Sequence, residues 1–197
     1  MGIVFSDIAV SADGYATGLN QTEERPFGDV DDGWLHDWMF DAYEENKAEV
    51  DAIVTSGATI MGRNMFGPVR GEWDREWRGW WGPNPPYHNP VFVLTHHPHA
   101  PIEMEGGTTF HFMTEGIEVA LERARAVADD QDISIAGGAR TVNQYLAAGL
   151  LDELRLHITP CIIGAGERVF EGVPPQRLER VSVRATSLVT HITYRRL

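Results

Sequence analysis

The chain has 197 residues, an apolar share of 43% and a net charge of −13 from 16 basic and 29 acidic residues; its one lysine is Lys47. That length suits one domain burying about 70% of the surface its unfolded chain exposes, and the ordinary composition excludes a disordered chain. So acidic a surface repels nucleic acid and anionic lipid, no apolar run approaches a membrane span, "MGIVFSDIAV" has no signal-peptide core, and the lone Cys161 excludes an internal disulfide, so a cytoplasmic protein is expected.

Ile3 to Val10 is apolar and β-prone and predicts a first strand, ending in the turn "SADGYATG". After an acidic, glycine-broken stretch from Phe27 to Asp32, the helical spacing of Leu35, Trp38, Met39, Ala42 and Tyr43 predicts an amphipathic helix to about Val50. "DAIVTSG" reads as a short buried strand and "ATIMGRNMF" as the helix after it. Residues 67 to 89 hold Trp73, Trp77, Trp80 and Trp81 among prolines and glycines, and predict a long loop or lid.

"PVFVLT" predicts a strand, "HHPHAPIEMEGG" turns, and Thr108 to Met113 a further short strand. Thr114 is placed to cap a helix whose buried side is Ile117, Ala120, Leu121, Ala124 and Val127. Ile133 to Ala136 forms a strand that passes through Gly137-Gly138 into a helix from Arg140 to Ala148, with Val142, Tyr145 and Leu146 inward and Gly149 closing it. Leu154, Leu156 and Ile158 alternate with polar residues in a strand, and Val181 to Tyr194 predicts two more, joined near Ala185-Thr186. Alternation of strand and helix followed by strands alone predicts an α/β fold in three layers: a mixed central sheet with antiparallel C-terminal strands and helices on both faces, as one domain over 1–197.

Three joints carry small or phosphate-friendly residues: Gly57-Ala58 with Gly62-Arg63 behind it, Thr95-His96, and Gly137-Gly138-Ala139-Arg140. Glycines at a strand-to-helix turn let an anion approach backbone N–H groups, so three such joints at one sheet edge predict a dinucleotide cradle. The G-x-G-x-x-G fingerprint of an ordinary Rossmann domain is absent. The run His96, His97 and His99 is broken by a proline and predicts no metal site.

In order and spacing, "SADGYATG", "DAIVTSGATIMGR", "PVFVLT", "ISIAGGARTVNQYL" and "LLDELRLHITPCIIGAGERVF" resemble the dihydrofolate reductase-like superfamily, most closely the pyrimidine-reductase domain of riboflavin biosynthesis and its stand-alone relatives. The resemblance covers essentially the whole chain. It implies a homodimeric, NADPH-dependent reductase acting on a pyrimidine- or pterin-type small molecule, such as a phosphoribosylamino-uracil. It places Gly137, Gly138 and Ala139 on the cofactor pyrophosphate, Arg63 on its 2′-phosphate, and Thr95 and His96 at its adenosine end. If Gly57-Ala58 is instead the glycine joint, Arg63 moves a turn into the helix and becomes a surface arginine offsetting nearby acids.

Asp37 resembles the aspartate that anchors the substrate ring and supplies its proton, although it also suits a solvated helix face. Asp13, Trp34, Arg70 and His157 are the substrate-side candidates, with Asp13 equally suited to forming a turn, His157 to a satisfied half-buried position, and Arg70 or Arg78 to a substrate phosphate. The tryptophans of the long loop suit either a lid or dimer contacts. Two other readings remain open: a nucleotide- or ligand-binding protein that has lost turnover, and a reductase using a flavin or deazaflavin.

Overall fold

A computed structural model describes residues 2–31 and 33–197, so Met1 and Asp32, the last residue of the acidic stretch, lie outside it. β1 (Val4–Ser11) is followed by the short β2 (Tyr15–Thr17), then α1 (Gly33–Phe40), α2 (Tyr43–Ile53), β3 (Ala58–Gly62) and α3 (Arg63–Phe66). After the tryptophan-rich loop come β4 (Pro90–Leu94), β5 (Ile102–Glu103), β6 (Thr109–Met113), α4 (Ile117–Val127), β7 (Ile133–Gly137), α5 (Ala139–Ala147) and β8 (Glu153–Thr159). The chain closes with β9 (Glu167–Arg168), β10 (Leu178–Ala185) and β11 (Thr190–Arg196). The main sheet has nine strands in the order β10-β11-β8-β1-β7-β3-β4-β6-β5, and β2 pairs with β9 beside it.

The six strands from β8 to β6 in that order run parallel, whereas β11, β10 and β5 are antiparallel additions at the two edges. This is the expected mixed sheet. One face buries Ile60, Phe92, Ile135, Leu154 and Leu156 against Leu121, Ala124, Val142 and Tyr145 of α4 and α5. The other face buries Met61, Val91, Val93 and Phe110 under Phe66, Tyr87 and the tryptophans, while Trp38 of α1 covers the β8–β11 end. The strand alternation seen at Ile60/Met61 and Phe92/Val93 is what assigns neighbouring residues to opposite layers.

Two expected elements are exchanged. Asp51 to Gly57 is the end of α2 and a turn rather than a strand, and the strand is Ala58–Gly62, where a helix was expected. β3 lies between β7 and β4 with its first four residues buried, so both faces must be apolar and no period distinguishes it from a buried helix. The single expected helix from Leu35 to Val50 is two helices. The Asn46 side chain donates to the Ala42 carbonyl and to the Trp38 carbonyl, an acceptor that the Ala42 N–H would fill in a continuous helix; that N–H here bonds the Asp37 carbonyl instead.

Thr114 does not cap α4. Gly116 holds that position at φ 95°, and the Thr114 N–H turns to the Glu115 carboxylate. Gly149 ends α5 as expected: at φ 67° its N–H reaches the Leu146 carbonyl while Leu150 N–H reaches Tyr145, the paired bonds of a Schellman motif. Among the described residues no helix is long and apolar enough to cross a membrane.

Candidate active site

Because six neighbouring strands are parallel, their C-terminal ends share one sheet edge, where Ser11, Thr159, Gly137, Gly62, Leu94 and Met113 end β1, β8, β7, β3, β4 and β6. In such a sheet ligands meet the loops beyond that edge. The exchange of elements therefore moves the glycine joint. Gly57 and Ala58 begin β3 at the opposite edge, where Gly57 N–H bonds the Asp132 carbonyl, and they take no part in the cradle. The joint at the C-terminal edge is Gly62-Arg63, and Arg63 is the first residue of α3.

Gly137-Gly138-Ala139-Arg140 lies beside it, since a Cβ on Gly62 would strike the Thr141 hydroxyl of α5 and one on Gly137 would touch Met65 of α3. Gly137 has φ 125°, which L side chains rarely adopt, and Gly138 faces open space with nothing within 4 Å of where a Cβ would stand. No side chain caps α5 at Gly138.

Arg63 is 9% exposed. Its guanidinium lies 3.8 Å from the centre of the Trp73 ring, and Nη1 makes one long 3.5 Å bond to the Thr95 hydroxyl. Nε and Nη2 are buried with no partner at all. Burial, and then the charge of Arg70, lowers its proton affinity. A surface arginine offsetting acids would be wet and paired; this one is neither.

Arg70 bonds the Gly67 carbonyl and Gln21, and it feels the opposing charges of Glu167 and Arg140, which pair at 2.5 Å. Three arginines thus gather at one end of an acidic protein. Thr95 ends at this rim with its hydroxyl held by His97 N–H, and His96 is exposed beside it.

The substrate-side candidates separate. Trp34 and Asp37 line an open cleft of about 440 Å³ with Trp38, Thr159, Pro160, Cys161, Ile162 and Leu188. Asp37 is exposed, and its carboxylate folds over Gly33, where an added Cβ would stand 2.5 Å from Oδ1. The cleft sits at the end of β8, two strand spacings or about 10 Å from the glycine turn after β7.

Asp13 is instead a loop clamp. Its Oδ1 accepts from the Ser11 hydroxyl and Ile163 N–H and its Oδ2 from Gly164 N–H, and these bonds, the hydroxyl's first, lower its pKa to about 2. His157 is 2% exposed and lies beneath Trp38, so it supports the cleft floor without reaching a ligand. Arg78 bonds the Glu103 carbonyl near the start of β6, at the far edge, and is removed from any phosphate role here.

The sequence matches the family model of the RibD C-terminal domain over residues 3–192. The chain belongs to the RibD C-terminal domain family.

This is a family of reductase domains of the riboflavin-biosynthesis type, and its members imply a nicotinamide cofactor. The fold is dihydrofolate reductase-like. A provisionally named riboflavin biosynthesis protein from Shewanella sp. PV-4 superposes with a TM-score of 0.59 at 21% identity, covering 99% of each chain. The diaminohydroxyphosphoribosylaminopyrimidine deaminase/5-amino-6-(5-phosphoribosylamino)uracil reductase of Thermotoga maritima gives 0.59 at 16% identity. RibD of Acinetobacter baumannii gives 0.62 at 16%. The chain is covered in full by the last two but spans 57% and 58% of their lengths. At these identities the likeness is one of fold. No curated protein sequence matches the chain.

For a RibD C-terminal domain the long loop is packed rather than free. Trp77 donates to the Phe66 carbonyl and Trp73 to the His97 carbonyl, and Trp81 stacks on Phe110. The loop covers the second core and presents Trp73 to Arg63. Sequence reasoning missed Trp73 as the partner of that arginine, Gly33 as the seat of Asp37, and Leu188 as a cleft wall. Only the turn residues around Pro160-Cys161, just beyond an alternating strand, offered a signal. His97 pairs with Glu72 and His99 with the Ala100 carbonyl, and among the described residues no group of three or more ligating side chains could hold a metal ion.

Proposed function

We propose that the chain is an NADPH-dependent reductase acting on a pyrimidine- or pterin-type ring. The observation that carries this reading is the pairing of an uncapped, glycine-led helix start with the two partnerless donors of Arg63, which begins α3 just beyond the neighbouring strand. Buried donors left unmade are costly, and their natural complement is an anion with several acceptor oxygens. The 2′-phosphate of NADPH has that chemistry, and NADH lacks that group.

When bound, the cofactor would supply hydride to a C=N bond of the acceptor. The amide groups at the start of α5 hold its pyrophosphate, Gly138 gives that group room, and the guanidinium of Arg63, kept flat by Trp73, takes the 2′-phosphate. Thr95 and His96 border the adenosine end. Asp37 anchors the acceptor ring and, directly or through a water it orders, delivers the proton that reduction of a C=N bond requires. Trp34 supplies an apolar wall and Trp38 the floor. The acceptor class includes the phosphoribosylamino-uracil named for the Thermotoga protein, whose phosphate would turn to Arg70. The working form is a homodimer.

Titration with NADPH and NADH by fluorescence, on wild type and on Arg63→Ala, tests this. The variant should lose about 1.5–3 kcal/mol of NADPH binding and bind NADH nearly as before. Equal loss for both nucleotides removes the role of Arg63.

A further inference from the structure

Beneath Trp38, four buried side chains form one hydrogen-bonded row. Asp7 Oδ1 is 3.1 Å from His157 Nε2, His157 Nδ1 is 2.8 Å from His191 Nδ1, and His191 Nε2 is 2.9 Å from Asn46 Oδ1. The far end has a fixed sense, because the Asn46 amide nitrogen already donates to the Trp38 and Ala42 carbonyls, leaving its oxygen as acceptor. His191 Nε2 must therefore carry a hydrogen. At the near end Asp7 is ion-paired to Arg155 through Oδ2 at 3.3 Å, so its carboxylate asks His157 Nε2 for a hydrogen as well.

Two neutral imidazoles, each protonated on Nε2, would then face each other at Nδ1 with two lone pairs 2.8 Å apart in a dry site. One more proton is required to close the row. We infer that the Asp7–His157–His191–Asn46 row binds one extra proton at neutral pH, and that this proton clamps α1, with its cleft residues Trp34 and Asp37, onto the sheet.

Burial, and then the adjacent His157, depresses His191 well below the ordinary imidazole range, while the Asp7 carboxylate stands 3.1 Å from His157 Nε2. Trp38 favours a cation there, its ring lying 4.7 Å from His157 and 5.1 Å from His191. The surrounding charges are Asp7 from β1, Glu153 and Arg155 from β8, Arg195 from β11 on Glu153, and Glu49 of α2 paired with Arg184 of β10. With Asp7, Glu153 and Arg155 forming the innermost shell, a protonated His157 brings that group to neutrality.

Loss of the proton forces one ring to turn a donor away from Asp7 or from Asn46. Asn46 is the residue that holds the carbonyls at the α1–α2 break, so the disturbance reaches α1. The sign follows: the clamp is present at low pH and is lost as pH rises through the value at which the row titrates. It holds whatever the cleft binds.

Ring-nitrogen NMR of histidine-labelled wild type tests this from about pH 6 to about pH 9. At neutral pH one of the two buried rings should be protonated on both nitrogens and the other on Nε2 alone. As pH rises, loss of the extra proton should shift the Trp38 indole signal and lower amide protection in α1 in the same step. Two neutral rings at neutral pH, or deprotonation without any change in α1, overturns the inference. In Asp7→Asn the new amide can donate to His157 Nε2, so the row closes with no extra proton. Both rings should then stay neutral and α1 protection should lose its pH dependence; a doubly protonated ring persisting in that variant also overturns it. The wild-type measurement decides the matter if the variant does not fold.

Discussion

Replacing Arg63 by methionine should move stability and cofactor binding in opposite directions. In the free protein Nε and Nη2 are buried without partners, at about 1–3 kcal/mol for each donor. Against this stand the Trp73 contact, about 2 kcal/mol for a desolvated pair, and the long bond to Thr95, under about 1 kcal/mol. Methionine keeps the apolar stem against Trp73 and removes the charge. The balance leaves the free variant as stable as wild type or more so by about 1 kcal/mol, a rise in Tm of about 3 °C for a chain of this size.

NADPH binding should weaken by about 1.5–3 kcal/mol, or about 10- to 150-fold, because charged hydrogen bonds to the 2′-phosphate are lost. NADH binding should change by less than about threefold. Thermal unfolding with and without each nucleotide reads all three quantities. A free variant that melts several degrees below wild type would show the guanidinium to be a structural group, and the reasoning from its orphaned donors would fail.

Gly138→Ala should leave Tm almost unchanged, since its Cβ enters open space, yet weaken dinucleotide binding at least tenfold by titration. Gly137→Ala, placed at φ 125°, should instead lower stability by about 1–2 kcal/mol in denaturant unfolding. Asp37→Asn should lower kcat by about 100-fold or more without changing Tm, because the carboxylate is exposed and is the proposed source of the proton. The Asp13 carboxyl, held at about 2 chiefly by the Ser11 hydroxyl, keeps the 163–164 loop in place at all pH values above the ordinary carboxylate range and releases it as pH falls toward that value. Proteolysis within residues 160–166 should therefore be slow at neutral pH in wild type and rapid in Asp13→Ala.

Much of the fold was legible because its signals are local. Gly137-Gly138 between an apolar run and an amphipathic stretch marks β7 and α5, and Leu154, Leu156 and Ile158 show the period of a half-buried strand. The reading failed at residues 51–62, where β3 is buried on both faces and so carries no period, and at the α1–α2 break, where Asn46 reaches carbonyls four and eight residues earlier. For the site, the glycine turn and Arg63 were legible as residue types. Asp13 and His157 were legible only as polar residues near strand ends, and their partners, at 163–164 and at Asp7 and His191, lie too far along the chain for spacing to reveal.

By itself the sequence determined the class of fold and the acidic charge that makes local arginines matter, since each depends on composition or short-range periodicity. Only the tertiary structure decided which glycine joint faces the ligand edge, which arginine is buried with donors to spare, and that two histidines 34 residues apart meet at 2.8 Å. Those are consequences of strand order: parallel neighbours drawn from distant parts of the chain set which side chains share an edge or a face, and hydrogen-bond need is fixed only once those neighbours have excluded water.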